Sequence, residues 1–149
     1  MKLSVMFLLL CMLSISYAQG QELRKLNENE LNKENAKFTE NFGRNFLTAL
    51  KNNTAYVFAG EATDVIEKQM TPENQKLLYK QLMDGFGDFV SLAYAETWKM
   101  NDGTQDFYIY RLQAVFNKTD QKMEFRVVLD KADKIAGLWV APWKESLSQ

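Results

Sequence analysis

Glu96 is the residue of this chain whose setting could do chemistry. It lies in the run Tyr94-Ala95-Glu96-Thr97-Trp98, and alternation along a strand puts Tyr94, Glu96 and Trp98 on one side. The next strand carries Tyr108 and Tyr110 with the matching parity, which sets Tyr110 directly across from Glu96. A carboxylate among aromatic rings is costly to ionise, so its pKa rises toward the range of a general acid or base. Glu96 as general base, with Tyr110 polarising a carbonyl, is then the candidate catalytic pair. The plainer reading is a wall. Glu96 hydrogen-bonds Tyr110 at the solvent-open end of a curved sheet, and Tyr94, Trp98, Tyr108, Tyr110 and Trp139 line a core or a ligand cavity.

Missing residue types remove much other chemistry. The chain has no histidine and a single cysteine, Cys11. A Ser-His-Asp triad, a Cys/His zinc site and a disulfide staple therefore lack their parts. We expect neither metal nor cofactor. Asp130 and Asp133 are acids of a hairpin turn, and Gly85 and Gly87 precede a strand rather than the helix a phosphate loop needs. Arg111, Gln113, Glu124 and Arg126 fall on the opposite side of the sheet from Glu96, where cross-strand polar pairing explains them. Asn52-Asn53-Thr54 and Asn117-Lys118-Thr119 match the glycosylation sequon, relevant only to a eukaryotic secretory route. The formal net charge is −1 with both signs interspersed, so no electrostatic footprint for nucleic acid is present.

Residues 1–18 read as a secretory signal. Lys2 precedes an apolar run from Leu3 to Ile15, and Ser16-Tyr17-Ala18 supplies the small residues at −3 and −1 of a cleavage site. The run is too short and wrongly flanked to remain as a membrane span. Cleavage before Gln19 would leave 131 of the 149 residues, remove Cys11 and shift the net charge to −2 through loss of Lys2. Cys11 is preceded by Leu10 and sits inside the apolar run, which argues against a lipid anchor. The expected location is periplasmic or extracellular.

Downstream elements must position the aromatic side chains. Residues 19–35 form a polar leader, and 36–143 read as one α+β domain followed by a tail, 144–149. Phe38, Phe42, Phe46 and Leu50 recur every four residues, with Leu47 alongside, the stripe of an amphipathic helix ending near Asn52-Asn53. A short helix over Gly60 to Gln69 turns Val65, Ile66 and Met70 inward. Thr71-Pro72-Glu73 starts a third helix with a hydroxyl cap, a proline at the first position and an acid in the first turn. Its apolar face is Leu77, Leu78, Leu82 and Met83, and Gly85-Phe86-Gly87 ends it. Four strands follow: Phe89 to Met100, Asp106 to Phe116, Met123 to Leu129 and Ile135 to Val140. Their short connections predict an antiparallel meander, with the helices packed on one face.

Parity assigns the faces. Met123, Phe125, Val127 and Leu129 alternate with polar neighbours and face the helices. Placing Phe116 opposite Met123 turns Tyr108, Tyr110, Leu112 and Ala114 inward. Placing Met100 opposite Asp106 does the same for Tyr94, Glu96 and Trp98, and Leu129 opposite Ile135 for Gly137 and Trp139. A one-residue slip would turn a strand over. Ala93, Ala95, Phe107, Ile109, Val115, Val128, Leu138 and Val140 then lie on the outer face. That surface is apolar enough to suggest a two-fold homodimer, or cover by the leader or the Trp143 tail.

The order of three helices, Gly85-Phe86-Gly87-Asp88-Phe89 and a meander closing on Lys134-Ile135-Ala136-Gly137-Leu138-Trp139 resembles a family of exported bacterial domains of unknown function. The resemblance covers residues 36–143. It implies a nuclear-transport-factor-two-like, cystatin-like fold, a cone of helices against a curved four-stranded sheet, and no established catalytic residues. Two functions follow. One is a non-catalytic exported module whose aromatic-lined cone takes a small apolar ligand, a glycan or a partner protein. The other, the kind of activity the resembled fold implies, is a small isomerase- or dehydratase-like enzyme with Glu96 as general base and Tyr110 polarising a carbonyl. A cone filled by Phe42, Phe46 and Trp98 favours the module, and a deep cavity floored by Glu96 favours the enzyme.

Overall fold

The computed structural model describes residues 22–147. The stretch expected to be a signal sequence, its expected cleavage site and Cys11 lie outside the described residues. The order is β1 (Leu23–Lys25), α1 (Lys33–Lys51), α2 (Asp64–Gln69), α3 (Pro72–Phe86), β2 (Phe89–Asn101), β3 (Asp106–Phe116), β4 (Met123–Leu129) and β5 (Ile135–Pro142). The class is α+β. The five strands form one antiparallel sheet in the order β1-β2-β3-β4-β5.

Five strands replace the four expected, because part of the polar leader is structured. Leu23, Arg24 and Lys25 pair with Met100, Lys99 and Trp98. One apolar residue in three gives no periodicity to read, so this strand is set by its partner. The leader also contributes the start of α1. Asn32 caps that helix, its side-chain oxygen accepting from the N–H groups of Glu34 (3.0 Å) and Asn35 (3.1 Å). Thr71 caps α3 as expected, accepting from Asn74 N–H at 3.3 Å, with Pro72 in the first turn.

Helix α1 lies on the sheet through the expected stripe. Phe42, Phe46, Leu47 and Leu50 are buried with Leu92, Leu112, Phe125, Val127 and Leu129. Gly43 permits the close approach: a Cβ there would stand 2.7 Å from Leu92 Cδ2 and 2.9 Å from Phe125 Cδ1. The charged residues beside the stripe reach the side of β2 that β1 leaves uncovered. Glu40 accepts from Tyr94 N–H (3.0 Å), Arg44 donates to the Leu92 carbonyl (3.0 Å) and Lys51 to the Phe89 carbonyl (3.0 Å). On α3 the inward residues are Gln75, Leu78 and Leu82. Leu77 is turned outward at 58% exposure, correcting its expected place on the inward face.

Of three breaks in register, one leaves Val90 unpaired between Phe89 and Ser91, and the other two decide where the candidate residues face. Across β2 and β3, Met100 pairs with Phe107 rather than Asp106, and Ala95 is left unpaired between Tyr94 and Glu96. Across β4 and β5, Leu129 pairs with Ile135 as expected, but Val128 pairs with Gly137, so Ala136 is extra. An inserted residue changes the parity of everything beyond it. Between β3 and β4 the partner of Met123 is Ala114 rather than Phe116. That shift of two preserves parity, and Tyr110, Leu112, Ala114 and Phe116 face the helices.

Candidate functional site

The breaks divide the six candidate ligand-binding residues into two groups on opposite faces. Tyr94, Tyr108 and Tyr110 lie with the helix-facing core. Glu96, Trp98 and Trp139 lie on the outer face, where Trp98 and Trp139 pack with Met100, Phe107, Ile109 and Val128. Opposite Tyr110 stands Thr97, and opposite Glu96 stands Arg111. The proposed contact of Glu96 with Tyr110 is therefore not formed. Leu138 and Val140, expected outside, belong to the inner cluster for the same reason.

Around Arg111 the outer face builds a buried ionic centre. Arg111 is fully buried, and its Nε donates to Glu124 Oε2 at 2.5 Å and its Nη1 to Glu96 Oε1 at 2.6 Å. Glu124 is equally buried and also accepts from Arg126. Glu96 accepts from Trp98 Nε1 at 2.8 Å and pairs with Lys25 of β1. Burial pushes the Glu96 carboxyl pKa up, but hydrogen bonds from Lys25, Trp98 and Arg111 outweigh it, and the net shift is downward. Glu96 is thus held as a carboxylate by three donors. A general base works best with a pKa near the working pH, and the surroundings of Glu96 move its pKa the other way.

The tyrosines keep the inner setting. Tyr110 is almost fully buried, and burial raises its phenol to about 12. Tyr94 shares a hydrogen bond of 2.9 Å with Thr97 Oγ1 and its phenol is also raised, burial again leading. Neutral phenols at these positions can donate hydrogen bonds and stack; the carboxylate nearest to Tyr110 in its hydrogen-bond network is Asp133, held by Asn35 Nδ2 at 2.6 Å, rather than Glu96. Deeper on this face, Phe42, Phe46, Tyr56, Phe58 and Phe125 interlock with ring centroids 5.2 to 6.5 Å apart. Trp98 takes no part in this cluster, contrary to expectation.

Sequence reading missed the joint role of Arg111, Glu124 and Arg126, taken there as ordinary surface pairs. Their alternation with apolar residues on β3 and β4 is the signal that was present, but nothing in it reveals complete burial. Trp139 occupies the space over Gly137, where a Cβ would stand 2.5 Å from its ring. A second feature is a groove of about 550 Å³ along the outer side of α3, lined by Asn53, Glu73, Lys76, Leu77, Lys80 and Met83. It exists because α3 is rotated to leave Leu77 outside.

Among the described residues no group of three or more Cys, His, Asp or Glu side chains is placed to hold a metal ion. No helix among them is long and apolar enough to cross a membrane. No family model matches the chain, and no curated protein or solved structure matches it either.

Proposed function

We propose that this protein is a non-catalytic exported binding module of the cone-shaped, nuclear-transport-factor-two-like kind, taking a small apolar ligand, a glycan or a segment of a partner protein against Tyr94 and Tyr108, with Tyr110 buried behind them. The observation that carries this reading is the break at Ala95, which removes Glu96 from the tyrosines and ties it to Lys25, Trp98 and Arg111. An isomerase or dehydratase with Glu96 as base loses its support by the same geometry. Tyr94 and Tyr108 are only partly buried at the rim of the inner cluster, so their rings remain available to stack on a ligand.

A ¹⁵N-labelled chain titrated with dodecanoate and with a chitin hexasaccharide tests the reading. Shifts centred on Tyr94 and Tyr108, lost in Tyr94→Ala, are expected from one of the two. Absence of any inner-face response to either overturns it. A carboxyl titration that puts Glu96 above the ordinary glutamate value of about 4.3 would restore the enzyme.

A homodimer through the outer face is a second reading. Val115 on that face is 50% exposed, with Ala93 exposed nearby. Light scattering at micromolar concentration with Val115→Lys as control tests it, and a monomer unchanged by the substitution rules it out.

A further inference from the structure

Past β5 the chain crosses the outer face as a strap, Trp143–Leu147. The Trp143 N–H donates to the Lys122 carbonyl at 2.9 Å, and the Arg111 guanidinium lies 3.9 Å from the centre of the Trp143 ring. The Lys144 carbonyl accepts from Arg111 Nη2 at 2.5 Å. Leu147 packs on the cluster of Trp98, Met100, Phe107, Ile109 and Val128. An aromatic ring, a main-chain carbonyl and an aliphatic side chain four positions on thus meet a buried arginine and an apolar patch.

Those are the features by which a folded domain recognises an extended peptide from outside. The strap fits incompletely. Arg126 Nε and Trp143 Nε1 are buried with no acceptor among the described residues, and buried N–H groups are ordinarily satisfied. Arg111 is already matched by Glu96 and Glu124, so its remaining donor suits a neutral carbonyl better than a free anion. A peptide carries such carbonyls at every residue. Pro142, which has no N–H to add to the ladder, stands at the base of the strap as a natural point of departure.

We infer that the strap is the internal occupant of a peptide-binding face. The partner is an extended segment of another protein with an aromatic residue followed four positions later by an aliphatic one. It must displace the strap to bind. A tethered competitor acts at an effective concentration on the order of millimolar, so the strap sets a threshold that only a better-fitting segment passes. This site is separate from the inner tyrosine face, and its test does not depend on that reading.

The probe is a fluorescein-labelled peptide of residues 141–149, Ala-Pro-Trp-Lys-Glu-Ser-Leu-Ser-Gln, followed by anisotropy. The hosts are the full chain and the full chain with Trp143→Ala and Leu147→Ala. The expected result is binding at least about tenfold tighter to the substituted chain, lost when the tryptophan of the peptide becomes alanine. Equal binding to both hosts, or binding to neither, overturns the inference. Hydrogen exchange on the unaltered chain guards against a variant that fails to fold. The Trp143 amide should exchange far faster than the Phe125 and Val127 amides of β4. Exchange of all three at one common rate means that the strap opens only on unfolding, which overturns the inference as well.

Discussion

The two faces of the sheet are stabilised in opposite ways. The inner face is aromatic and aliphatic, closed by one long helix whose every fourth residue is apolar. The outer face is closed by the ends of the chain, β1 and the strap, gathered around one buried arginine. Apolar burial is non-directional and survives small shifts in register. A buried ionic centre is directional, and each member depends on the others being in place. The inner face therefore supplies cohesion, and the outer face supplies a defined register and a defined position for β1 and the strap.

That contrast can be broken from either side. Phe46→Ala on the inner face should cost about 3–5 kcal/mol, read as a fall in the urea midpoint with little change in slope; a loss below about 1 kcal/mol would mean that the ring is not enclosed. Arg111→Ala should cost a comparable amount, about 3–5 kcal/mol, because it leaves Glu124 and Glu96 buried with fewer partners. The double change Arg111→Met, Glu124→Leu sharpens the comparison. The pair removed together leaves no charge at the centre itself, while Glu96 keeps Lys25 and Trp98 and Arg126 loses Glu124, so part of the loss should return. A double variant as unstable as Arg111→Ala would show that the cost lies in packing.

Acid should act on the outer face first. The folded-state pKa of Glu96 is depressed, since its ion pairs and hydrogen bonds outweigh burial. Its contribution is present above the ordinary glutamate value and is lost as pH falls through the depressed one. Glu96→Gln should cost about 1 kcal/mol at pH 7, and its stability should fall less steeply below about pH 4.3 than that of the unaltered chain. Parallel pH profiles would refute the assignment. The smallest effect is on α3, where Leu77→Ser should stay within about 0.5 kcal/mol while Leu78→Ala next to it costs about 2–5 kcal/mol. Equal losses would put the groove-lining residue in the core after all.

Element boundaries were largely legible because they are local. Thr71-Pro72-Glu73 starts α3, and the limits of β3 and β4 agree with their turn signals at both ends. Faces were not legible, because a single unpaired alanine decides them. In β2 the large apolar residues on either side of Ala95, Leu92 and Tyr94 before it and Trp98 and Met100 after it, are all even-numbered, so nothing there betrays the break. In β5 both parities are apolar, and either assignment reads equally well. The candidate site failed at that point. A site assembled by parity inherits every slip in register. β1 was invisible for another reason: three residues carry no pattern, and the strand exists because β2 offers it an edge.

The row Glu40, Arg44 and Lys51 on α1 has a consequence for solubility. A strand side left unpaired is a template for another chain, and runs of it seed aggregates. By occupying the main-chain groups of Phe89, Leu92 and Tyr94, these three charged side chains withhold that template while the helix that carries them stays docked. Changing the three together should leave a chain that folds alone in dilute solution and precipitates when concentrated.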